Sequence, residues 1–198
     1  FTIISFEKDK NYGSQKKAIE NILDYHQIKW IPLKYTKRPP ILSTIWDVFK
    51  LNKQIKKLNK QSIHLIHCRS YITSLIALKF KKKYNIPFIF DMRGFYADER
   101  VDGKIWNKKH YIFKHIYNYF KKKEEKFLQE SNHVVSLTSA GKKEIESWKL
   151  PNQSPIKIIP CCTDEKLFKS DNIKDVKSDL NIKNEDFVVS YVGSIGTW

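Results

Sequence analysis

The side chains best equipped for chemistry fall in short runs, each placed where an apolar segment stops. The first is Ile66-His67-Cys68-Arg69-Ser70-Tyr71. His67, Arg69 and Ser70 bring an imidazole, a guanidinium and a hydroxyl to a strand end where a helix begins. Backbone N–H groups there add partial positive charge, so the run suits an anionic or hydroxyl-rich ligand. A plainer reading has His67 satisfied by a local hydrogen bond and Arg69 paired with a nearby carboxylate. The second run, Asp91-Met92-Arg93-Gly94-Phe95-Tyr96-Ala97-Asp98-Glu99-Arg100, is the densest. It reads as a polar loop spanning 91–106. Its carboxylates and aromatic pair suit a sugar, whose C–H face packs on a ring while its hydroxyls meet Asp98 and Glu99. Gly94 permits close backbone approach. A salt-bridged surface loop is the alternative, but charge of this density in a long loop favours function. The third run, Ile159-Pro160-Cys161-Cys162-Thr163-Asp164, enters a capped turn that ends in Phe168. Thr138-Ser139 follows another strand. The last run, Gly193-Ser194-Ile195-Gly196, is a glycine turn that would let a phosphate approach, although it is not a complete dinucleotide fingerprint.

These runs need elements to hold them, and the apolar pattern supplies strands and helices in alternation. Strands are expected over 1–6, 29–33, 62–67, 87–90, 133–137, 156–159 and 187–192. Helices are expected over 14–26, from a Ser43 cap through Leu58, and over 71–84, 108–130 and 140–148. Short buried strands alternating with helices imply a doubly wound, mostly parallel α/β sheet covered on both faces. Ligands of such sheets bind outside the carboxyl ends of the strands, which is where the chemistry-bearing runs lie.

The chain has 198 residues and a net charge of +16. Lysine dominates, in clusters such as Lys56-Lys57-Leu58-Asn59-Lys60. A solvated basic surface explains much of this; an anionic membrane, a nucleic acid or a phosphorylated substrate are the functional alternatives. The richest apolar stretch, 71–80, is about half the length a membrane span requires. The three cysteines, Cys68, Cys161 and Cys162, lack metal-ligand or disulfide-framework spacing and are expected to be reduced and structural. No metal site is expected.

Taken in order, the motifs resemble glycosyltransferase family 4 of the GT-B fold, over about residues 28–196. Ile66-His67-Cys68-Arg69-Ser70 stands for the family's His-x-His-Ser pattern, Phe90-Asp91-Met92-Arg93-Gly94 for its catalytic-loop region, and Val134-Val135-Ser136-Leu137-Thr138-Ser139 for a strand ending in Ser. Ile159-Pro160-Cys161-Cys162-Thr163-Asp164 with Phe168 stands for its Pro-Asn-Gly-Val-Asp signature, and Tyr191-Val192-Gly193 for its last glycine strand. The chain departs from the pattern at Arg69, at Cys161-Cys162, at Ser194, and after the 87–90 strand, where many members carry a His and Asp91, Met92 and Arg93 stand here.

The resemblance implies a Rossmann-like acceptor domain over 1–170 lacking its first strand, a linker over 171–184, and the opening of a nucleotide-sugar domain over 185–198. The chain would thus be truncated at both ends and inactive alone. The whole enzyme would be a hexosyltransferase-like, retaining, metal-free transferase. It would move sugar from a nucleotide-diphosphate donor to a glycan or lipid-linked acceptor in surface polysaccharide synthesis. It would work in the cytoplasm, peripheral to the inner membrane face. Asp91 and Arg93 are the candidate catalytic residues. His67, Arg69, Ser70, Gly94, Phe95, Asp98, Glu99, Thr138, Ser139 and Asp164 are the candidate substrate contacts. Gly193, Ser194 and Gly196 are the candidate contacts to donor phosphate. Arg69, Arg93, Gly94 and Glu99 are the first to mutate. Two other readings are a nucleotide-sugar epimerase of the same fold and a basic nucleic-acid-binding module. The second lacks any helix-turn-helix, zinc-finger or RNP signal.

Overall fold

The computed structural model describes residues 1–39, 41–58, 60–163, 179–183 and 185–191. Strands and helices alternate as the sequence predicts: β1 (Thr2–Glu7), α1 (Asp9–Tyr25), β2 (Lys29–Lys34), α2 (Leu42–Lys57), β3 (Ile66–Arg69), α3 (Ser70–Tyr84), β4 (Phe88–Met92), α4 (Tyr96–Asp102), α5 (Tyr111–Glu130), β5 (His133–Ser136), α6 (Ser139–Ser147) and β6 (Ile156–Ile158). Every strand pairing among the described residues is parallel, and the architecture is Rossmann-like.

The larger sheet runs β3-β4-β5-β6. Its central strands carry Phe88, Phe90 and Val134, all fully buried, because both faces are covered and alternate residues have no water to meet. α5 closes this core. Phe120, Phe127 and Leu128 recur at helical spacing on its inner face, and Phe127 lies 5.2 Å from Phe90 between ring centroids. Full burial of a side chain such as Phe90 or Phe127 contributes about 2–3 kcal/mol. α3 ends at Asn85, whose left-handed conformation (φ 54°) lets its N–H reach the Lys81 carbonyl, while Lys81, Lys82 and Lys83 sit at the negative end of the helix dipole.

Five details differ from the sequence reading. The sheet is not continuous: β1 and β2 pair with each other but not with β3, although Ile4, Phe6, Leu33 and Ile66 share one apolar cluster with Phe80 and Ile86. Pairing within the 62–67 stretch begins only at Ile66, after a single 3-10 turn at Lys60–Ser62. Ser43 does not cap α2; it lies inside the helix, buried, with its N–H donating to the Pro39 carbonyl. The polar loop after β4 contains a helix, α4, because Ala97 and Tyr96 turn inward while the charged residues between them and Val101 face out. The strand expected over 187–192 has no pairing in its described part, and Phe187, Val189 and Tyr191 there are exposed.

Candidate active site

The strand-end rule brings three of the expected residues together. β3 and β4 are in register with Arg69 opposite Asp91. His67, Asp91 and Arg93 project from alternate positions at the carboxyl ends of these two strands. His67 Nε2 lies 3.5 Å from Asp91 Oδ2, and Arg93 Nη1 lies 3.9 Å from Asp91 Oδ1. The second guanidinium nitrogen, Nη2, donates to Cys161 Sγ at 3.2 Å, tying in the segment that follows β6. Asp91 is buried, yet its Oδ1 accepts no hydrogen bond. An ionised carboxylate oxygen without a partner is costly to bury, so this atom is poised for an incoming hydroxyl or N–H.

Arg69 is exposed and, among the described residues, its side chain pairs with no carboxylate, contrary to the plainer reading of this run. Ser70 carries a left-handed backbone, φ 73°, at the first position of α3, a conformation that costs a non-glycine residue about 1–3 kcal/mol and concentrates at working sites. α3 has no side-chain cap, and its first N–H groups face the strand-end side. Cys68 points to the opposite face of β3. Burial pushes its thiol up to about 12, more than the hydrogen bonds of Thr73 and Ser74 lower it, so it is an inert core group. Cys161 and Cys162, expected to be structural, are exposed instead.

The rest of the Asp91–Arg100 run does something else. Tyr96 is not offered to a sugar: it stacks on Tyr71 (5.4 Å, 29°) and abuts Phe120 and Trp106 in the core. Phe95 packs on Trp148 at 5.7 Å. Asp98 accepts from the Tyr117 hydroxyl at 2.7 Å and from Lys121 Nζ at 2.9 Å. Burial alone would raise Asp98, but these two hydrogen bonds hold it below its ordinary value. Lys121 also donates to Glu124, which accepts from the Tyr71 hydroxyl as well. Glu124 is fully buried, and desolvation raises its carboxyl despite both donors. The Tyr71 hydroxyl lies 3.1 Å from the Gly94 carbonyl, which links the network to the loop beside Arg93. At Gly94 a Cβ would fall 1.9 Å from Glu99 Oε1, so Glu99 folds over the glycine and any side chain there must expel it. Phe95, Asp98 and Glu99 line a separate open cavity of about 590 Å³ with Lys121, Glu144 and Trp148. Its carboxylates are not gathered to hold a metal; among the described residues no three His, Cys, Asp or Glu are so placed.

Thr138 caps α6, accepting the Gly141 N–H at 2.9 Å, and Ser139 is the exposed first residue of that helix. Asp164, Gly193, Ser194 and Gly196 lie outside the described residues. Sequence reasoning named Tyr71 and Cys161 only as members of their runs, and it assigned no role to Lys121 or Glu124. Glu124 left one signal: it shares the helical phase of Phe120, Phe127 and Leu128 and so falls on the buried face.

A family model described as Glycosyltransferase Family 4 matches residues 2–167. No curated protein matches the chain.

Proposed function

Since the chain belongs to glycosyltransferase family 4, we propose that it supplies the acceptor side of a retaining transferase that uses a nucleotide-diphosphate sugar and needs no metal. In this reading residues 1–170 form the acceptor-side domain, 171–184 the linker and 185–198 the opening of the nucleotide-sugar domain. The acceptor is a glycan or a lipid-linked glycan of surface polysaccharide synthesis.

One observation carries the reading: the buried Asp91 oxygen that accepts no hydrogen bond, beside Arg93 and His67 at the ends of β3 and β4. Asp91 accepts a hydroxyl of the acceptor and orients it. Arg93, with Arg69 nearby and the open N–H groups of α3, offsets negative charge that develops on the leaving diphosphate. His67, more than half exposed, closes the rim and can share the sugar hydroxyls.

A radiolabelled sugar-transfer assay tests this. The 198-residue chain alone is expected to transfer nothing. A chain carrying both domains is expected to label an acceptor and to lose roughly 100-fold in kcat/KM on Arg93→Ala or Asp91→Asn, the scale typical of removing one charge-stabilising group. Unchanged turnover in both variants would remove the cluster from the reaction. Epimerised or hydrolysed donor without a labelled acceptor would instead favour the epimerase chemistry open to the same fold.

A further inference from the structure

Two adjacent thiols follow β6, and they are used in opposite senses. Cys161 and Cys162 are both free and exposed. The Cys161 sulfur accepts from Arg93 Nη2 at 3.2 Å, so it faces a cation. Cys162 instead donates its S–H to the Pro160 carbonyl at 3.5 Å. Arg93 has N–H groups to spare: its other contact among the described residues is Asp91, 3.9 Å away and beyond hydrogen-bond reach. The Arg93 side chain is 33% exposed, so a ligand can meet it from water. Asp91 beside it is buried, with one oxygen that accepts no hydrogen bond. The third thiol, Cys68, is sealed in the core. Reactive cysteines stand in electropositive, open surroundings, and buried ones are inert. By that rule, among the described residues, Cys161 stands apart from the other two.

We propose that Cys161 is a modification site that takes anionic small-molecule disulfides as a mixed disulfide, with Arg93 drawing the ligand's carboxylate. The Cys161 sulfur attacks one sulfur of the ligand, and the ligand's S–S bond breaks. Half of the ligand stays on Cys161, the other half leaves as a thiolate, and the Cys161 proton passes to water. Cys162 is not the partner. Cα atoms joined by a trans peptide stand about 3.8 Å apart, inside the usual disulfide span of about 4.4–6.8 Å, so the pair resists closing on itself. A metal is no better served, since among the described residues no three His, Cys, Asp or Glu are gathered to hold one. A carboxylate on the ligand matches the guanidinium fork and gives the attack its direction. Where the Asp91 cluster serves transfer, the adduct occupies Arg93 and closes it. That consequence rests on the proposed function; the modification does not, and it is read without donor or acceptor.

Intact-mass kinetics on the folded 198-residue chain are the test. Cys161→Ser and Cys162→Ser each leave one exposed thiol. The net charge of +16 acts on both, so the ratio of their rates is the reading. Glutathione disulfide, which is anionic, should modify the Cys162→Ser chain about tenfold faster than the Cys161→Ser chain, the scale of one close charge contact. Cystamine, which is cationic, should show no such preference for Cys161. Arg93→Gln in both backgrounds should abolish the preference for glutathione disulfide. If thermal melting shows Arg93→Gln to be unfolded, salt decides instead: added salt should shrink the Cys161 preference, and a preference indifferent to salt would refute the role of Arg93. Equal rates at the two thiols, the same preference with cystamine, or a preference that survives Arg93→Gln would each overturn the proposal. So would a disulfide between Cys161 and Cys162 as the main product in the parent chain.

Discussion

Two polar clusters flank the Arg93-Gly94 turn, and they are built on opposite principles. On one side Tyr71, Glu124, Lys121, Asp98 and Tyr117 form a closed network in which each charged group has a donor or acceptor and Glu124 is sealed from water. On the other, Asp91 is nearly as buried but leaves an oxygen unused, with Arg93 and His67 at ion-pair distances rather than in hydrogen bonds. A saturated network gains nothing from a ligand and loses much when cut; an unsaturated one is the reverse. The closed cluster is therefore the mount and the open one the candidate site. The Tyr71 hydroxyl, which reaches both Glu124 and the Gly94 carbonyl, is where the mount meets the turn that carries Arg93.

Cutting the mount should have the largest effect. Glu124→Ala leaves the Tyr71 hydroxyl only the Gly94 carbonyl, 3.1 Å away, to donate to and removes one of the two carboxylates around Lys121. A loss of about 3 kcal/mol in unfolding free energy is expected, at the lower end for a broken buried ion pair because Asp98 still holds Lys121. Chemical denaturation measures it. A cost below about 1 kcal/mol, the worth of an ordinary surface pair, would mean that the network does not support the fold. Tyr71→Phe comes next. It keeps the ring contacts with Phe90, Tyr96 and Phe127, deletes only the hydroxyl, and should cost about 1–2 kcal/mol, since Glu124 loses a donor while Lys121 remains.

The open cluster should answer with the opposite sign. Asp91→Asn keeps the shape of the side chain and removes a buried charge whose hydrogen bonding is incomplete. Stability should stay level or rise by up to about 1 kcal/mol, the trade expected where a site is held for binding and not for folding. A fall of more than about 1 kcal/mol in the denaturation midpoint analysis would place Asp91 with the mount, and the distinction between the two clusters would collapse.

Much of this frame could be read from residue order. Short apolar runs announce buried parallel strands, and the rule that ligands gather at their carboxyl ends selects five segments, 67–70, 91–99, 138–139, 160–164 and 193–196, with His67, Asp91 and Arg93 among them. The closed network is harder to see. Glu124 sits in phase with Phe120 and Phe127, but an acid in a lysine-rich helix reads as solvated until its partners are placed. Tyr71 lies 53 residues from Glu124 in the chain, and Cys161 lies 68 from Arg93; pairs at such separations are fixed by topology, which local pattern does not encode. α4 was hidden for a related reason. Five of the residues from Asp91 to Arg100 are charged, and that density masks the inward turn of Tyr96 and Ala97. The break between the β1-β2 pair and the larger sheet is a matter of strand pairing, to which hydrophobic periodicity is blind.

The finest test separates two carboxylates within the mount itself. Asp98 and Glu124 share Lys121, yet their environments push them apart. Burial disfavours the charge on both, but Asp98 is half-open and its hydrogen bonds from Lys121 and Tyr117 win, so its folded value is lowered. Glu124 is sealed, desolvation wins over Lys121 and Tyr71, and its folded value is raised. The linkage signs follow. A lowered carboxyl stabilises the fold above its unfolded value of 3.8, and that stabilisation disappears as pH falls through the folded value. A raised carboxyl acts in reverse: its contribution is complete below its unfolded value of 4.5 and is withdrawn as pH rises through the folded value. On acidification the stability difference between wild type and Asp98→Asn should therefore shrink, while that between wild type and Glu124→Gln should move in favour of wild type. Urea unfolding across the acid range, with both variants measured beside the parent, reads the two slopes. Slopes of the same sign would show that the pair titrates as one unit and that burial does not divide it.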